Sequence, residues 1–136
     1  MKLNVLLVED FPHPMEKVWR ALTDPDALRV WLMDNDFEPR AGKRFILRGR
    51  RVPPGSRGWH ECEVLEIEPP CRMVWSWIIN EGDTPTRVEF RLEEIGPGTR
   101  LTLSHTGEVD PITRSRLTEG WPEKLAELDA LLSRTI

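Results

Sequence analysis

The sequence contains no tyrosine, only two cysteines and no apolar run near the roughly 18 residues that span a bilayer. No transmembrane segment is expected. Cys62 and Cys71 are too far apart for a CxxC pair, which excludes a redox motif and a disulfide scaffold and leaves a single Cys62–Cys71 bridge as the lesser alternative. The opening Met1-Lys2-Leu3-Asn4 lacks the apolar stretch and cleavage site of a signal peptide. A cytoplasmic address is expected. Positive charge is also short: 19 Lys and Arg stand against 23 Asp and Glu, a formal net charge of −4 that argues against a nucleic-acid partner. There is no Gly-rich phosphate loop, no GxSxG elbow, no HExxH and no paired-carboxylate motif.

What is present is a chain of 136 residues, the size of one domain (1–136), with an unusual aromatic set of six Trp and four Phe. A chain of this length buries roughly two thirds of its unfolded surface, so it can build a core without staples. Six tryptophans in so small a unit require a large core, a pocket or a sticky surface.

Periodicity gives the order of elements. Leu3 to Glu9 is an apolar run of strand length, ended by Phe11-Pro12-His13-Pro14. Met15, Val18, Trp19 and Leu22 then recur at helical spacing, with Pro14 in the first turn, and Asp24-Pro25 starts a second short helix carrying Leu28, Trp31 and Leu32. Five strands in a meander follow. They are centred on Phe45–Leu47, Trp59–Glu68, Arg72–Ile79, Val88–Leu92 and Arg100–Thr106, with turns at Pro- and Gly-rich segments. His60, Cys62 and Val64 share one parity, whereas Leu65 and Ile67 share the other, so a one-residue bulge near Val64 is expected. Leu117, Trp121, Leu125, Leu128 and Leu132 mark a final helix capped by Asp110-Pro111. Pro122 predicts a kink or break at Gly120-Trp121-Pro122, with the regular helix running from there to about Ser133. The fold class is α+β: a curved antiparallel sheet around a long C-terminal helix, with two short helices after the first strand.

Several segments resemble the family of activator of heat-shock-protein-90 ATPase homologues. They are Val18-Trp19-Arg20-Ala21-Leu22-Thr23-Asp24-Pro25 with Leu28 and Trp31, the Gly42-x-x-Phe45 turn, Glu63 through Trp77, Gly98 through Gly107, and Gly120-Trp121. The resemblance implies the helix-grip fold of the START-like, or SRPBCC, superfamily, whose members bind sterols, lipids or polyketides between sheet and helix. It also implies a comparison with the eukaryotic co-chaperones, which carry a separate N-terminal domain for the chaperone. This chain has no room for that domain, so contact with heat-shock protein 90 is doubtful, and a protein-interaction or co-chaperone-like module stands as an alternative to ligand binding.

The expected activity is therefore binding of a small hydrophobic or aromatic molecule in the cavity between sheet and helix. Trp31, Phe45, Leu47, Trp75, Trp77, Phe90, Leu103, His105, Trp121 and Leu125 are the expected lining, with His105 as the polar contact. No cofactor is expected, and no metal, because His60-x-Cys62 offers two ligands on one strand face and nothing announces the others. A cyclase or hydrolase is the alternative, with His105 or His60 as general base, although Glu61 and Glu63 point away from His60 by parity. Arg40, Lys43, Arg44, Arg48, Arg50, Arg51 and Arg57 concentrate positive charge in one hairpin. That stretch reads as a solvated strand face, with a protein-docking patch for an acidic partner as the runner-up. Exposed edge strands would permit a homodimer.

Overall fold

The computed structural model describes residues 1–134. Its elements run β1 (Lys2–Phe11), α1 (Met15–Thr23), α2 (Pro25–Trp31), β2 (Asp34–Asn35), β3 (Arg44–Arg48), β4 (Trp59–Glu68), β5 (Arg72–Ile78), β6 (Thr86–Ile95), β7 (Gly98–Glu108) and α3 (Pro111–Arg134). The strands form one curved antiparallel sheet in the order β1-β7-β6-β5-β4-β3-β2, with α3 packed against it in the helix-grip arrangement. The first strand joins the last of the meander, Lys2 to Phe11 pairing with Glu108 to Thr99. The two-residue β2 escapes a reading by periodicity, because Asp34 and Asn35 carry no apolar alternation.

Local chemistry sets the boundaries. Asp24 caps α2, its side chain accepting the Asp26 backbone N–H at 3.0 Å, with Pro25 at the first helical position where no donor is needed. Pro14 sits one place earlier than the first turn, at the N-cap of α1. Asp110 caps α3 by accepting from the Thr113 backbone N–H at 2.8 Å and its hydroxyl at 2.9 Å, which holds the Asp110 carboxyl below its usual range.

The register of β4 on β5 shifts between Val64 and Glu66, leaving Leu65 as the extra, exposed residue. That is the bulge the change of parity requires, and it turns His60, Cys62 and Val64 to the inside while Glu66 joins the outer face. On that outer face Arg72 spans Glu66, Glu68 and Glu89, and Arg87 and Arg91 extend the same ion-pair group.

One expectation is corrected. α3 is continuous through Gly120-Trp121-Pro122 and is not broken there. Pro122 removes one helical N–H, but Thr118 and Pro122 both lie on the exposed side, where water can take over the freed carbonyl. Trp121 and Leu125 keep facing the sheet and hold the helix down on both sides of the proline.

The β6–β7 turn supplies a test of how closely β1 is joined. A Cβ added at Gly98 would lie 2.6 Å from the carbonyl oxygen of Phe11, a backbone atom that cannot rotate aside. Gly98→Ala is expected to lower stability by about 2 kcal/mol in urea denaturation, in the range of a steric clash in a packed interior. A loss under about 0.5 kcal/mol would mean that the end of β1 shifts freely.

Candidate functional site

The centre of the inner sheet face is filled by rings. Trp75 on β5 lies 5.0 Å from Phe45 on β3, 4.8 Å from Phe90 on β6 and 5.6 Å from Phe37, centroid to centroid, in edge-on and tilted contacts. Leu47, Leu103 and Leu125 are buried in the same core. Phe37 sits in the segment between β2 and β3, where no periodicity announced a core residue.

Toward the end of the sheet where β4 begins and β5 finishes, the packing opens into a cavity of about 740 Å³. It is bounded by the end of α2 (Val30, Trp31), the Gly49–Gly58 loop, His60 and Trp77 of the sheet with Ile79 just beyond β5, and α3 from Thr113 to Glu127. Of the expected lining residues, Trp31, Trp77 and Trp121 border this space. Phe45, Leu47, Trp75, Phe90, Leu103, His105 and Leu125 are placed beside it, in the filled core. Residues outside the expected lining also border it: Gly120, Arg116 and Lys124 on α3, and Arg50 and Arg51 on the loop, the last two expected instead as part of a solvated or docking face.

The three tryptophans are held in different ways. Trp31 Nε1 donates to the Ala21 carbonyl at 2.8 Å, tying α2 to α1. Trp121 Nε1 donates to His105 Nδ1 at 3.0 Å. An indole can only donate, so His105 Nδ1 is the acceptor and the ring proton sits on Nε2. Nε2, 2.7 Å from Thr86 Oγ1, is then the donor to that hydroxyl, whose own proton goes to the Trp77 carbonyl at 2.9 Å. The chain Trp121–His105–Thr86–Trp77 thus runs from helix to sheet with every proton assigned. Burial favours the neutral imidazole and pushes the His105 pKa down to about 3. Both ring nitrogens are occupied, so His105 pins Trp121 in place and has no nitrogen left for a ligand or a substrate proton.

Trp77 is different: among the described residues its buried Nε1 has no hydrogen-bond partner, nor has Nδ1 of neighbouring His60, whose ring centroid lies 5.3 Å away. Burial also lowers the His60 pKa. The sixth tryptophan, Trp59, stands on the outer face under the Arg57 guanidinium, 3.7 Å from the ring centroid, as its parity with Glu61 and Glu63 requires.

Among the described residues no group of His, Cys, Asp and Glu is arranged to hold a metal ion, and no helix is long and apolar enough to cross a membrane. Cys62 and Cys71 are both free thiols. The basic hairpin is largely paired: Arg40 and Lys43 reach Glu38, Arg44 reaches Glu63, Arg50 reaches Asp34 and Arg57 reaches Glu61. That pairing weakens the case for a docking patch.

This architecture is shared with known proteins. Protein MLL2253 from Mesorhizobium loti is 32% identical, with a TM-score of 0.88 over 98% of each chain. CalU16 from Micromonospora echinospora is 29% identical with a TM-score of 0.77, covering 96% of this chain and 76% of that one. Protein BH1534 from Bacillus halodurans is 26% identical with a TM-score of 0.77, covering 95% and 96%. Among curated proteins, none matches. The model of the family described as Activator of Hsp90 ATPase homolog 1-like protein matches residues 12–133, nearly the whole of the chain, and with the helix-grip order of elements this assigns the protein to that family.

Proposed function

We propose that the protein binds a small hydrophobic, aromatic molecule in the cavity between the sheet and α3. The observation that carries this reading is a space of about 740 Å³, within the range of small-molecule sites, walled by Trp31, Trp77 and Trp121. A ligand burying roughly 250 Å² of apolar surface there gains on the order of 6 kcal/mol before the entropy of association is subtracted, which sets a micromolar scale. The reading is one of binding: His105, one of the two candidate bases, is neutral and fully engaged by Trp121 and Thr86.

Gly120 gives a direct test. It borders the cavity in mid-helix, and a Cβ built on it meets no atom within 4 Å. Gly120→Phe is expected to take up part of the space without disturbing the core, and replacing a helical glycine leaves stability equal or higher. Quenching of tryptophan emission, titrated with a library of hydrophobic compounds, is expected to saturate in the parent protein and to need a higher ligand concentration in Gly120→Phe. Unchanged titrations in the two proteins would place binding elsewhere and end this reading.

A further inference from the structure

Four basic side chains, Arg50, Arg51, Arg116 and Lys124, border the cavity with two acidic ones, Glu123 and Glu127. This is a local excess of two positive charges in a chain whose formal net charge is −4. Arg50 is engaged, donating to the Arg29 carbonyl and pairing with Asp34 at 3.2 Å. Among the described residues Arg116 donates only to the Pro54 carbonyl, at 3.3 Å. Lys124 donates to the Leu32 carbonyl at 2.9 Å, and among the described residues no carboxylate comes within 4.0 Å of its ammonium.

A half-buried ammonium beside another cation is an unfavourable placement. Burial and the charge of Arg50 both act to lower the Lys124 pKa, against a weaker opposing pull from Glu123 and Glu127. An ammonium carries three donors, and one main-chain carbonyl uses one of them. The apolar walls call for rings, while Lys124 and Arg116 on α3 and the exposed Arg51 on the loop keep donors to spare. A neutral hydrocarbon would leave them all unmatched.

Resting on the reading of the cavity as a ligand site, we propose that the ligand is an aromatic acid, with its rings in the space bordered by Trp31, Trp77 and Trp121 and its anionic group beside Lys124 and Arg51. The anion supplies the charge that Lys124 lacks in the free protein, and the ring system supplies the apolar area. Recognition is then split between a wall that sets affinity for rings and a mouth that selects for negative charge.

The test uses two dyes with one skeleton: 8-anilinonaphthalene-1-sulfonate, and N-phenyl-1-naphthylamine, which is the same molecule without the sulfonate. Both brighten on entering an apolar site. The parent protein is expected to bind the sulfonate about tenfold more tightly than the neutral dye, and Lys124→Met to remove most of that advantage while changing neutral-dye affinity less than about twofold. Arg51→Met, at an exposed residue, is expected to act in the same direction and serves if Lys124→Met fails to fold. Raising the salt from about 50 to about 500 mM should weaken the sulfonate alone. Neutral dye bound as tightly as the sulfonate, or both dyes moved equally by both variants, would overturn the anion site and leave the cavity reading intact. Binding of neither dye would overturn both.

Discussion

Between about pH 7 and pH 5 the protein is expected to lose roughly 2 kcal/mol of folding stability through His105 alone, and His105→Leu to lose that dependence. The sign follows from a histidine held neutral. Its pKa falls from 6.5 to about 3 on folding, so at intermediate pH the unfolded chain binds a proton that the folded chain refuses. Stability is therefore complete above pH 6.5, falls by about 1.4 kcal/mol per pH unit below it, and levels off only near pH 3, for a full span of up to about 5 kcal/mol. His60, also lowered by burial, adds a dependence of the same sign that the substitution leaves in place. At pH 7 the leucine variant should be less stable by about 1–3 kcal/mol, because Trp121 Nε1 loses its acceptor in a dry interior. Two urea-denaturation series, taken from pH 7 to 5, should therefore converge as the pH falls, above the range where carboxylates titrate. Parallel curves would show that His105 is not held neutral by the fold.

His105 also marks the limit of what the sequence discloses. Alternation in Val88–Leu92 and Leu101–His105 placed His105 on the inner face, and the structure agrees. Its partners are another matter. Thr86 lies at the start of β6 and Trp121 on a helix 16 residues later, and only the pairing of β6 with β7 and the seat of α3 bring them together. The bulge at Leu65 was legible because a change of parity has no other simple cause, and Asp24-Pro25 because capping is local chemistry.

The cavity wall on α3 was hidden by a single residue. Thr113, Arg116, Gly120, Lys124 and Glu127 recur every three or four positions along one side of the helix. Expecting Pro122 to interrupt the helix divides that stripe in two, and Lys124 and Arg116 no longer read as neighbours across one site. The opposite wall comes from the Gly49–Gly58 loop, which has no period to reveal which way its arginines face. The aromatic excess was easier to locate than to interpret. Trp75 and Trp77 share a strand face, as spacing requires, yet one is sealed among phenylalanines and the other borders the cavity.

That division predicts opposite behaviour for the two. Trp75→Ala is expected to cost about 3–5 kcal/mol, since it empties the point where Phe37, Phe45 and Phe90 meet, and the surrounding strands cannot close over a void of that size. Against a total stability of about 5–15 kcal/mol such a loss brings the chain near the edge of folding. Trp75→Phe should be far milder. It keeps a ring among rings and removes an indole N–H that is buried without an acceptor, so the lost area is offset by a relieved desolvation cost. Stability within about 1 to 2 kcal/mol of the parent is expected. Because Trp75 does not border the cavity, ligand affinity in Trp75→Phe should stay as in the parent. In Trp77→Ala, by contrast, affinity should fall along with the wall that the indole forms. Measured by denaturation and by dye titration, equal losses of affinity in Trp75→Phe and Trp77→Ala would mean that the ligand reaches the centre of the sheet, and that the ring cluster there opens to admit it.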